Sequence, residues 1–205
     1  MEQVLKTCGR KASEVRILYP PPDAILLPMI ETHPFGSFVP PQVKYLLLGS
    51  FTTKEAFDDT KKEAYKWFYA NGGRNQFWPI LSIIYGRKLE IRTEMQELFT
   101  VLNMALADII YSCERQKNSN LDVNLKNITY AIDDINQIIE KNAIQKIFFT
   151  SRFVETKFRQ VFRNVIQKHS NIELVTLPSP SPRYAQMTKE QKLKKYRELM
   201  PILQQ

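Results

Sequence analysis

Cysteine and histidine are both scarce in this chain of 205 residues, with two of each. Cys8 and Cys113 lie far apart, and there is no Cys-x-x-Cys pair or Cys/His cluster, which argues against structural zinc. Four-thiolate iron–sulfur chemistry is excluded by count. His33 and His169 alone cannot build a histidine-rich metal centre, so neither metal nor cofactor is expected. No apolar run approaches the roughly 20 residues of a membrane helix. The N-terminal stretch MEQVLKTCGRKASEVRILYP scatters charge through itself and has no apolar signal core. A cytoplasmic protein with no membrane partner is the expectation. Also missing are a Gly-x-Ser-x-Gly nucleophile turn and the Gly-Lys-Ser/Thr of a phosphate loop.

What is present is ordinary globular composition, 43% hydrophobic and 24% charged, on a length that suits one domain with a real core. Lys and Arg total 29 against 21 acidic residues, a net charge of +8. Such a balance attracts polyanions, nucleic acid first among them.

Residues 1–43 are read as irregular, broken by Pro20-Pro21-Pro22 and Pro40-Pro41. The first 30 form an extension to one domain spanning 1–205. VKYLLLGS (43–50), QKIFFTS (145–151) and IELVTLP (172–178) are short apolar runs that predict buried strands. VLNMALADII (101–110) reads as a strand running into a loop, and 54–70 as a connector. Phe77, Ile80, Leu81 and Ile84 have helical spacing, with Pro79 in the first turn. One amphipathic helix is expected over 128–139 and another over 154–165. A last helix, 189–199, is capped by Thr188. Its Lys189, Lys192, Lys194, Lys195 and Arg197 either touch DNA or form a solvated face, the second being the favoured reading. Continuous apolar strands alternating with helices describe a parallel sheet covered on both faces. Ligands of such sheets bind beyond the strand C-termini.

Three segments fall at those ends or beside them. Gly49-Ser50-Phe51 follows the first strand, where a glycine permits close backbone approach. Arg74-Asn75-Gln76-Phe77-Trp78 opens a helix after Gly72-Gly73. Asn75 is either a helix cap or an amide that reads a nucleobase edge. Phe77 is either core or a ring that stacks on a base, and Arg74 offers a phosphate partner. LPSPSPRYA (177–185) stiffens a loop with three prolines and carries Arg183 and Tyr184 at its tip, either as a plain surface turn or as a wedge against a duplex.

In this order the segments resemble the uracil-DNA glycosylase superfamily, most nearly its hypoxanthine-DNA glycosylase branch. ETHPF (31–35) and ADIIYSCERQKNSNLD (107–122), with Asp108, Arg115, Ser119 and Asp122, are similar to that branch as well. The resemblance spans about residues 30–185. It implies a three-layer α/β/α sandwich around a four-stranded, mainly parallel sheet. It also implies a monomer that flips a deaminated base out of DNA and hydrolyses its glycosidic bond without cofactor. Asn75 would be catalytic. Gly49, Ser50, Phe51 and Phe77 would bind the base. Arg74, Ser179, Ser181, Arg183 and Tyr184 would meet DNA. The first loop carries no Asp or Asn, and Ser179 stands where several branches have His. A non-catalytic nucleic-acid-binding protein of the same fold is therefore the alternative.

Overall fold

In a computed structural model, residues 29–60, 66–70 and 74–203 are described. Four strands, β2 (Tyr45–Gly49), β3 (Met104–Asp108), β6 (Lys146–Phe149) and β7 (Glu173–Thr176), form a wholly parallel sheet in the order β3-β2-β6-β7. Alternation along each strand divides the core in two. Leu46, Leu48, Ala105, Ala107, Ile147 and Phe149 pack on one face. There they meet α3 (Ile132–Lys141), α4 (Arg152–Val161) and α5 (Arg163–Lys168). Leu47, Met104, Leu106 and Phe148 pack on the other, against α1 (Phe77–Tyr85), α2 (Arg92–Val101) and α6 (Lys189–Leu199). The result is the expected three-layer sandwich around a four-stranded sheet. No helix among the described residues is long and apolar enough to cross a membrane.

A second sheet departs from the sequence expectation. Strands β1 (Ile30–Thr32), β4 (Ile110–Arg115) and β5 (Leu125–Tyr130) pair antiparallel in the order β1-β4-β5. The expected irregular segment therefore contributes a strand at residues 30–32, while the extension before residue 29 lies outside the described residues. The segment 101–110 divides differently too: Val101 ends α2, β3 starts at Met104, and Ile110 already belongs to β4. Ile128 has helical spacing from Ala131 and Ile132, yet it lies in β5, and α3 starts only at Ile132. The 154–165 helix is two helices that meet at Phe162.

The strand order reverses direction beside β2, whose neighbours are β3 and β6. At that switch the loops after β2 and β6 part and leave a crevice. The small sheet closes one side of it, tied on by Ile109 N–H to the Gly49 carbonyl (2.9 Å) and Ile110 N–H to the Ser50 carbonyl (3.1 Å).

Candidate active site

The crevice is an open cleft of about 1030 Å³ at the C-terminal end of the sheet. Four stretches line most of it: Ser50–Glu55, Arg74-Asn75, Asn118–Asp122 and Ser179–Tyr184. The sequence expectations are thus brought together for Ser50, Phe51, Arg74, Asn75, Ser179, Ser181, Arg183 and Tyr184. Two expected residues are not on the lining. Gly72-Gly73 lie outside the described residues.

Phe77 is the first correction. Its side chain is 0% exposed, packed against Tyr69, Trp78, Phe99 and Tyr196. It occupies the inward face of α1, and no base can stack on it there. Gly49 is the second. A Cβ on it would fall far inside any real contact with the Tyr69 hydroxyl and with Asp108 Oδ1. Gly49 pairs directly with Asp108 across the sheet, so its missing side chain makes room for the cleft floor.

That floor holds polar groups to which the sequence alone assigns no role. Asp108 Oδ2 is 2.9 Å from His33 Nε2, with both side chains about nineteen-twentieths buried (4% and 5% exposed). His33 in turn stacks on Phe68 and meets Phe51 edge-on. Asp108 Oδ1 and the Tyr69 hydroxyl are buried without a hydrogen-bond partner among the described residues. Burial, and then the charge of Asp108, push the Tyr69 phenol well above its usual range, against a smaller opposite effect from the Thr150 side chain. Tyr69 has φ of 60°, a conformation bulky residues rarely adopt unless their surroundings impose it. Asp122 also lines the cleft. Burial raises its pKa and the nearby Asp108 charge adds to this, while the Ser50 side chain and Arg115 oppose it. A buried acid with no hydrogen-bond partner on one oxygen and a strained tyrosine are signals of three-dimensional convergence. Only Asp108 at a strand end is visible in the sequence.

Asn75 does two things. Its Oδ1 accepts the Phe77 backbone N–H at 2.9 Å, which satisfies one of the free amides at the start of α1. A backbone N–H can face only the oxygen, so the orientation of the amide is fixed. The same residue lines the cleft.

The walls are cross-linked. Arg115, 4% exposed, makes a two-pronged pair with Glu31, with Nε 3.0 Å from each carboxylate oxygen. It also donates to the carbonyls of Thr52 (2.9 Å) and Ser119 (3.1 Å). Asn120 accepts the Lys54 N–H and donates to Glu55. On the far side, Lys192 is only 2% exposed, not part of a solvated face. The reason is polar: its ammonium reaches Gln76 Oε1 (3.1 Å) and the Ser181 carbonyl (3.0 Å) under the proline loop. Among the described residues, no three His, Cys, Asp or Glu side chains are grouped to hold a metal.

Neither the protein-family models nor the curated proteins match this chain. Among solved structures, it is similar to the solution NMR structure of a candidate uracil DNA glycosylase from Methanosarcina acetivorans. The TM-score is 0.58 and the identity 16%, over 83% of this chain and 96% of that one. This likeness establishes the fold: the α/β/α sandwich described above is uracil-DNA glycosylase-like.

Proposed function

We propose that the protein is a monofunctional DNA glycosylase that hydrolyses the N-glycosidic bond of a flipped, deaminated base, hypoxanthine before uracil. The observation that carries this reading is the convergence on one cleft of Asn75, two carboxylates, Asp108 and Asp122, and a proline-stiffened loop. The shared fold supports it, and the basic charge of +8 fits a polyanionic partner. The preference for hypoxanthine rests on the resemblance of the motifs to that branch. The cleft volume sits at the upper end of the ~300–1,000 Å³ usual for small-molecule sites, which leaves room for a purine.

The chemistry needs two kinds of group. As the C1′–N bond breaks, its electron pair leaves with the base, and the sugar becomes an oxocarbenium ion. Asn75 Nδ2–H would stabilise the negative charge growing on the base. The carboxylates would stabilise the cation and orient a water whose oxygen bonds to C1′, its proton ending on the departing base or the solvent. The lysine buried beside the loop is committed to two acceptors, so no Schiff-base step is invoked.

The test is a panel of duplexes holding hypoxanthine, uracil, xanthine or a mismatch, incubated with excess enzyme and then treated with alkali to cleave abasic sites. Release of one of these bases is expected. Two variants separate the roles of Asn75. Asn75→Asp keeps an oxygen for the Phe77 N–H and so keeps stability, but loses the donor and places a charge in the cleft; activity should fall at least ~100-fold, as for loss of one oxyanion-type donor. Asn75→Ala should lose activity and also about 1 kcal/mol of stability through the lost hydrogen bond to the Phe77 N–H. A fully active Asn75→Asp enzyme would show that the amide is only a cap. Duplex binding without release of any base would leave the non-catalytic alternative standing.

A further inference from the structure

A buried ammonium is costly unless something requires it, and Lys192 is 2% exposed. It has no carboxylate within ion-pair distance among the described residues. Burial alone depresses its pKa. Its acceptors are neutral, and they belong to two different parts of the site. Gln76 Oε1 adjoins Asn75, and the Ser181 carbonyl lies in the middle of the proline loop. The Tyr184 ring covers it, 5.4 Å from the ring centre. A second link runs parallel, from the Gln76 N–H to the Pro180 carbonyl at 2.9 Å. Beyond these, Tyr196 of the same helix donates to the Pro178 carbonyl at 2.9 Å.

We infer that Lys192 is a positioning residue that fastens the proline loop to the Asn75 end of α1, so that the surface facing DNA and the amide facing the base move as one piece. The linkage rests on the coordinates alone. Its kinetic consequence rests on the glycosylase reading above. A purely structural lysine would sit on one element. This one joins two that have no strand or helix in common, and it does so through a side chain one residue from Asn75.

The test uses the full chain with Lys192→Met, Gln76→Ala, the double variant, and Lys195→Met as a control from the exposed side of the same helix. Hydrogen exchange at the Gln76 amide reads the link directly. Exchange at least tenfold faster in Lys192→Met, with core amides unchanged, supports the inference; unchanged exchange overturns it. On a duplex with the responsive base, the single-turnover rate at saturating enzyme should fall about 10–100-fold, the scale of a lost hydrogen bond to a charged group. Affinity for an abasic duplex should change less. Lys192→Met and Gln76→Ala should be non-additive, because either removes the same link. Additive losses, or an equal loss in Lys195→Met, would overturn it. If the wild-type chain releases no base, the glycosylase reading fails while the exchange experiment still decides the link. If Lys192→Met does not fold, Gln76→Ala carries the same measurements.

Discussion

Replacing Gly49 by alanine tests the construction of the cleft floor in a single methyl group. The added Cβ would fall well inside 3.0 Å of both the Tyr69 hydroxyl and Asp108 Oδ1, with Tyr69 Cζ at 3.0 Å. Neither neighbour can yield cheaply. Asp108 is held by His33 at 2.9 Å, and the Tyr69 ring lies 4.7 Å from the buried Phe77. Forcing a carbon into a filled core costs about 1–3 kcal/mol. For a domain of this size that is a fall in Tm of about 2–12 °C. Tyr69→Phe alone should be neutral or stabilising, because among the described residues the buried hydroxyl has no hydrogen bond of good geometry, Thr150 acting on it only weakly against the cost of burial. In Gly49→Ala/Tyr69→Phe the nearest clash is gone while the one with Asp108 Oδ1 stays, so part of the lost stability should return. Thermal unfolding followed by circular dichroism reads all four proteins. A Gly49→Ala protein as stable as wild type, or a double variant no better than Gly49→Ala, would refute the argument that this glycine exists to admit the floor.

Asp122→Asn should raise Tm at pH 7, since the raised pKa of Asp122 means that burying its charge works against folding. The gap should close as pH falls toward about 3.9, the ordinary aspartate value, where the wild-type carboxyl has taken up its proton; a gap that widens in acid would contradict the burial of that charge. The same variant should lose base release if its carboxylate orients the attacking water. Arg115→Ala leaves Glu31 and two loop carbonyls without their donor and should cost about 3–5 kcal/mol in urea unfolding, as breaking a buried pair does. A loss below ~1 kcal/mol would place Arg115 among exposed, weak pairs.

The large sheet is legible in the sequence because its strands are buried on both faces. LLL at 46–48 and IFF at 147–149 admit few other readings at that length, and the strands that contain them start and stop close to the ends of the apolar runs. The small sheet is not legible. Ile30-Glu31-Thr32 is three residues long with two exposed, and β5 exposes Lys126, Asn127 and Thr129. Neither gives a clear period of two. Ile128 then sits by coincidence at helical spacing from Ala131 and Ile132. The proline loop and Asn75 are legible as residue types. Phe77 misleads because an aromatic after a capping Asn looks the same in sequence whether it faces a base or the core. Gly49 is correctly placed at a strand end, but its neighbours come from positions 69 and 108, which no local pattern connects.

The fastenings of the cleft place little demand on the side chains of the loops they hold. Arg115 grips the carbonyls of Thr52 and Ser119, Lys192 that of Ser181, Tyr196 that of Pro178, and the Gln76 amide that of Pro180. In these five links the acceptor is a backbone carbonyl. A carbonyl is offered by any residue, so loops held this way keep their course while their side chains vary. The path of Thr52–Lys54 is held from outside, by Arg115 at the Thr52 carbonyl and by the Asn120 side-chain oxygen at the Lys54 N–H. The side-chain donors are Arg115, Lys192 and Tyr196, and it is at these that substitution should shift the walls of the cleft.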